Sequence, residues 1–247
     1  SNNTAVGYNS LGANTTGTQN SAIGAYSLQS STTASYNTAI GYDALGDVTT
    51  GEANTAVGRQ ALRKNTTAND NSALGNSALE QNTTGAKNTA IGANALDANT
   101  TANNNTAVGY ASLTSNTTGA ANDAHGMNAL YSNTTGAENC AFGQSSLFSN
   151  TTASNNTAIG NQALTENTTG IRNSAVGSLA LGRNTTGQYN IALGYGALYD
   201  NTTASNNTAV GYNALVANTT GTQNTAVGSL ALDANTTADS NTAIGYS

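Results

Sequence analysis

"NTAVGYNALVANTTGTQ" spans Asn207 to Gln223, and "NTAVGSLALDANTTADS" follows it directly from Asn224 to Ser240. Stepping by seventeen from Asn3 meets Asn20, Asn37, Asn54 and so on to Asn241, fifteen asparagines with no insertion or deletion between them. The 247-residue chain thus holds fourteen complete repeats, in register from residue 3 to residue 240, and the start of another. Counting each repeat from its leading Asn as place 1, the consensus is N-T-A-[VI]-G-Y-x-A-L-x-x-N-T-T-[GA]-x-x. Place 3 is always Ala, place 5 always Gly, place 9 always Leu, and places 13 and 14 always Thr.

A constant period fixes a constant circumference. Seventeen residues are too few for a pair of helices, and no 3.6-residue apolar rhythm is present. They suit one coil of an all-β, parallel β-solenoid (a β-roll), with two or three short strands joined by tight corners. Coils about 4.8 Å apart would make fourteen of them a rod of roughly 67 Å. Such stacking sets like residues above one another. Asn at places 1 and 12 then forms ladders of side-chain amides, Thr adds β-branched ladders, and Gly at place 5 marks a corner. The whole chain, residues 1–247, reads as one repeat segment. Because both ends stay in register without an atypical capping repeat, it reads as a fragment of a longer chain.

Composition agrees with a thin repeated fold. Only 37% of residues are hydrophobic, Phe occurs twice, and Trp and Pro are absent, which is too little for a thick globular core. With 7% charged residues the chain also lacks the signature of disorder. The net charge of −6 and six scattered Lys and Arg give no basic patch, so nucleic acid is not expected as a partner. A single Cys offers no disulfide framework. No apolar run approaches eighteen residues and no signal peptide or lipidation motif is read, so membrane insertion is not expected either.

On size alone, places 4 and 9 are assigned to the interior: Val6, Leu11, Ile40, Leu45, Val108, Leu113, Ile159, Leu164, Val210 and Leu215. Alternation along a strand then turns the small residues of places 3 and 5 outward. Ala5, Gly7, Ala107 and Gly109 would belong to a smooth stripe where another chain comes close. Two large side chains per coil is a meagre core, so that stripe is read as an inter-subunit seam. Place 15 is Gly in eight repeats and Ala in six, and after Ala comes only Ser, Asn or Asp. This reads as two versions of one corner, Gly supplying an unusual backbone angle in one. In the other, the next residue supplies that angle or satisfies the backbone through its side chain.

Deviations stand out against the repeat. Asp123 and His125 replace Thr and Val/Ile in one coil, and Cys140 and Phe142 replace them in the next. If copies associate about a threefold axis, as the resemblance described below implies, Asp123, His125 and Cys140 gather into an axial metal or anion site. A local repacking of Phe142 around its neighbour accounts for the same residues without a ligand and is preferred, so no metal is assigned. Tyr recurs at place 6 (Tyr8, Tyr42, Tyr110, Tyr195, Tyr212), where it could stack sugars, but Arg59, Asn76 and Ser178 share the place, so it reads as a variable surface position. The twelve Asn-Thr-Thr triplets are formal glycosylation acceptors and are read as ladder residues.

The recurrent "NTAVGY.AL..NTTG" resembles the repeats of bacteriophage tail-fibre proteins, and its N-[ST]-A-[VI]-G core resembles the S-V-A-I-G motif of trimeric autotransporter adhesin heads. The resemblance covers the whole chain, and the longer period here departs from the adhesin coil. It implies a parallel β-roll associated as a homotrimer in an extracellular, structural or adhesive fibre, either of a virion or of a cell-surface appendage. The partners it implies are further copies of the chain side by side and a host-cell surface or glycan, and the uncapped ends add copies end to end. No catalysis and no cofactor are expected, because the carboxylates scatter over variable places without a differentiated pocket. Two alternatives remain: a self-assembling extracellular filament of functional-amyloid type, and an ice-binding solenoid using the Thr rows at places 13 and 14, of which only one per coil can lie on a given face.

Overall fold

A computed structural model describes residues 2–246. The chain divides into two compact units, Ser1–Asn122 and Asp123–Ser247. Both are parallel β-solenoids, together about fourteen coils of seventeen residues, with no helix among the described residues. Unit 1 carries β1 (Thr4–Val6), β2 (Ser21–Ile23), β3 (Thr38–Ile40), β4 (Thr55–Val57), β5 (Ser72–Leu74), β6 (Thr89–Ile91) and β7 (Thr106–Val108). Unit 2 carries β8 (Asp123–His125), β9 (Cys140–Phe142), β10 (Thr157–Ile159), β11 (Ser174–Val176), β12 (Ile191–Leu193), β13 (Thr208–Val210), β14 (Thr225–Val227) and β15 (Thr242–Ile244). Within each unit successive strands pair in parallel with like places opposed, as in Thr38↔Thr55, Ala39↔Ala56 and Ile40↔Val57.

Each coil therefore has one three-residue strand, places 2–4, rather than the two or three expected. The remainder is turn. Thr and Val/Ile favour the pleated surface, and the Gly at place 5 ends it. At Gly41 φ is +136°, and a Cβ there would collide with the Gly58 carbonyl of the next coil. Three hydrogen-bonded turns follow in close succession: Ala61 N–H to Gly58 O (3.4 Å), Arg63 N–H to Gln60 O (3.3 Å) and Asn65 N–H to Leu62 O (3.1 Å). Gln60 (φ +58°) and Leu62 (φ +51°) occupy the third position of the first two turns, where a type II turn requires positive φ. Place 17 is left-handed as well, at Asp70 (φ +61°).

A left-handed Leu in every coil is unfavourable by about 1–2 kcal/mol. Burial outweighs it. Leu28, Leu45, Leu62 and each later copy through Leu215 are fully buried, and truncating such a side chain costs about 2–5 kcal/mol. Leu11, in the first coil, is half-buried.

The strand faces the opposite way from the sequence expectation. Val6 is 58% exposed, Ile40 38% and Ile159 42%, while Val108 and Val210 are half-buried, so none of these place-4 residues belongs to the interior. Ala107 at place 3 is fully buried, like each copy from Ala22 to Ala226 to within 2%. Ala5 and Gly7 are exposed in the first coil, but the stripe they begin is not an outer seam: its alanines line the interior, and Gly109 is a half-buried corner. The reason is width. One coil encloses the Leu of place 9, Ala or Ser of place 8 and two asparagines, which leaves room for only a methyl group from the strand.

Those asparagines complete the core. Asn71 Oδ1 accepts the backbone N–H of Asn88 in the next coil (3.0 Å), and Asn71 Nδ2 donates to Gly85 O (2.9 Å). From place 12, Asn82 Nδ2 donates to the same Gly85 carbonyl (2.8 Å) and to Asn65 Oδ1 (3.2 Å). Two amide ladders thus converge on the carbonyl of place 15, and buried polar groups are satisfied by their counterparts in adjacent coils. Place 12 is Ser31 and Val48 in two coils, and there the ladder breaks: Asn14 Oδ1 and Ser31 Oγ have no hydrogen-bond partner. Outside, within each unit, place-13 hydroxyls reach the next place-13 carbonyl, as in Thr83 Oγ1 to Thr100 O (3.0 Å).

Place 15 also departs from expectation. Gly85 does not have positive φ; it is required by space, because a Cβ would press on the Ala102 carbonyl and Asn82 Oδ1. In the Ala version the following side chain serves the neighbouring coil: Glu52 N–H donates to Asn69 Oδ1 (2.7 Å) and Gln188 N–H to Ser205 Oγ (3.0 Å). Two Ala coils never adjoin in the sequence.

Candidate functional site

With Ala inside, places 2 and 4 form an outward face on each unit. Place 2 is Thr or Ser in most coils, and place 4 is Val, Ile, Leu or Phe in all but one. In unit 1 the column runs Val6, Ile23, Ile40, Val57, Leu74, Ile91, Val108, with Leu74 50% exposed. Burying one aliphatic side chain is worth about 1.5–3 kcal/mol, or about 60–120 Å² at 25 cal/mol per Å². Seven such side chains near half exposure leave roughly 200–400 Å² open, comparable with the largest apolar patch of a typical monomer, which is often functional. In unit 2 the corresponding column, after His125, is Phe142, Ile159, Val176, Leu193, Val210, Val227 and Ile244.

The polar exceptions meet on this face. β8 and β9 pair Asp123 with Cys140 and His125 with Phe142. The His125 and Phe142 rings stack at 4.2 Å with 14° between planes, the repacking that the sequence suggested. Burial and the nearby Asp123 carboxylate push the Cys140 thiol up, which disfavours the thiolate. Asp123, His125 and Cys140 do lie on adjacent strands. Yet among the described residues no three His, Cys, Asp or Glu side chains are placed to hold one metal ion. Sequence reasoning missed Ile191, which replaces Thr at place 2 beside Leu193; its departure from the Thr/Ser consensus was the available signal.

Aromatic side chains flank the face. Tyr8 meets Tyr26 edge-on at 5.4 Å, Tyr26 meets Tyr42 at 5.7 Å, and Tyr195 stacks on Tyr212 at 5.6 Å. Tyr110 is exposed. On the turn side, charges pair between coils: Arg63 with Asp43 (2.8 Å) and Glu80 (3.7 Å), and Arg183 with Asp200 (2.9 Å) beneath the Tyr199 ring. Burial raises the Asp97 carboxyl above its usual range, Glu80 raises it further and Lys64 opposes them. No helix among the described residues is long and apolar enough to cross a membrane.

The class these features define is a β-solenoid repeat protein with an open apolar strand face on each unit. The chain matches no protein-family model and no curated protein.

Proposed function

We propose that the chain is a segment of an extracellular structural and adhesive fibre, without catalysis, whose copies join through the outward face of places 2 and 4. One observation carries this reading: place 4 keeps its apolar character in fourteen of fifteen strands while facing outward. Nothing on a free surface demands that, and a copy of the chain offers the same column at the same pitch. Three copies, as the resemblance to tail fibres and adhesin heads implies, would cover each column. The exposed tyrosines beside it are then where a host-cell surface or glycan could be held. Light scattering and chemical cross-linking of the chain in solution test this, with three chains per particle expected. A stable, folded monomer would end the reading, and indefinite threads in the electron microscope would replace it with the filament.

One observation favours ice binding as a second reading: Thr and Val/Ile form two parallel outward columns on one sheet, a better template than places 13 and 14. The hydroxyl column is interrupted at Asp123, Cys140 and Ile191, while the apolar one is kept, which favours a protein partner. Thermal hysteresis separates the two.

A further inference from the structure

A face that repeats every seventeen residues presents the same surface at each coil, so copies packed along it can slide by whole coils. Something has to mark the register. Among the described residues of the face, Asp123 is the only acid and His125 the only base, and both lie on β8. We infer that Asp123 and His125 are the register mark of the seam between copies of this chain, an inference that rests on the fibre reading above.

The argument is one of complementarity and cost. With copies in register, Asp123 and His125 of each copy lie in one layer with those of its neighbours, so a carboxylate can pair with an imidazole across the seam. A slip of one coil sets His125 against the Phe142 layer, and a slip of two sets Asp123 and His125 against Thr157 and Ile159. Either slip takes the carboxylate from its imidazole partner and sets it against the Cys140 thiol or the Thr157 hydroxyl, neutral groups that compensate a covered charge poorly. Coiled coils use a single polar residue in an apolar seam in this way, giving up some stability for a unique register. The His125 ring and the Asp123 backbone are well held for the task. The His125 ring is stacked on Phe142 at 4.2 Å, and the Asp123 N–H is bonded to Asn139 O at 2.9 Å. Cys140 and Ile191 also break the pattern of this face in unit 2, but neither is an acid-base pair, and Ile191 imposes only bulk.

The test uses the full chain with Cys140→Thr, which restores the consensus residue and removes the native thiol. One version carries Ser174→Cys and a second Thr225→Cys, both at place 2 and three coils apart. Three coils are about 14 Å, beyond a disulfide's reach of about 7 Å between Cα atoms. The two versions are unfolded, mixed, refolded and oxidised to direct disulfides, and the products are weighed by mass spectrometry. With Asp123 and His125 in place, only like chains should be linked. With Asp123→Thr and His125→Val, mixed Ser174→Cys/Thr225→Cys dimers should rise from absent to a share comparable with like pairs. Adding Thr157→Asp and Ile159→His moves the mark by two coils and should abolish the mixed dimers again. Mixed dimers with the native mark, or none without it, would overturn the inference while leaving the oligomer intact. A monomeric parent chain, or an oligomer with no links at all, would overturn the seam itself.

Discussion

Replacing Leu62 by Ile tests how the interior is built, because the substitution keeps volume and changes only shape. In an ordinary core such an exchange costs less than about 1.5 kcal/mol, and Leu→Met the same. Leu62, however, is fully buried at φ +51°, between hydrogen bonds from its N–H to Ala78 O (3.0 Å) and from Asn65 N–H to its carbonyl (3.1 Å). A β-branched residue at positive φ is a genuine outlier, and held strain of that kind is worth about 1–3 kcal/mol. Added to the shape change, Leu62→Ile should lose about 2–4 kcal/mol, close to Leu62→Ala at about 2–5, while Leu62→Met stays near wild type. Because neighbouring coils are coupled, the loss is read best from amide exchange at Leu45, Leu62 and Leu79, whose N–H groups all bond to the next coil. At tenfold per 1.4 kcal/mol, exchange there should accelerate roughly 30- to 1,000-fold for Ile and by about tenfold or less for Met. If Ile and Met exchange alike, the left-handed turn is not what shapes place 9.

Ser31→Asn supplies Asn14 Oδ1 with a donor and should stabilise the first coils by about 1 kcal/mol. Combined with Val48→Asn the gain should exceed the sum of the single changes, because only the pair continues the ladder to Asn65; chemical denaturation of the four proteins measures the coupling. Asp97→Asn should stabilise unit 1 at neutral pH. The folded carboxyl has a raised pKa, so the wild type is relatively most stable when protonated and loses stability as pH rises from the ordinary value of 3.8 through the folded one. Melting curves of the two proteins should therefore coincide at the acid end and separate as the pH approaches neutrality.

The period, the parallel stacking and the Asn rows were legible because a repeated chain puts each residue above its own copy. Which way the strand faced was not. Alternation ties places 2 and 4 to one side and place 3 to the other, but it gives no sign, and size pointed to Ile40 over Ala39 for the interior. Invariance was the better guide: place 3 is never anything but Ala, whereas place 4 tolerates Leu74, His125 and Phe142, as an outer surface can. The turns were hidden for a different reason. Asn9, Asn94, Asn128, Asn213 and Gly196 at place 7 advertise positive φ, but Leu at place 9 does not, because its burial overrides its backbone preference. At place 16, Ser205 was recognisable as a backbone partner, but not that the N–H it accepts belongs to Gln188 in the neighbouring coil.

The seam is tested most directly by placing charge on it and nowhere else. Ile91→Lys and Leu193→Lys fall on outward place-4 positions, 41% and 47% exposed, so neither disturbs the Leu and Asn interior. Particle mass by sedimentation equilibrium, with amide exchange of the coils measured on the same samples, is the decisive measurement. The account predicts three chains per particle for the parent and one for the double variant, with exchange of the buried Leu amides unchanged in both. A double variant that keeps the parent's mass would show that the outward apolar column is not where the copies meet.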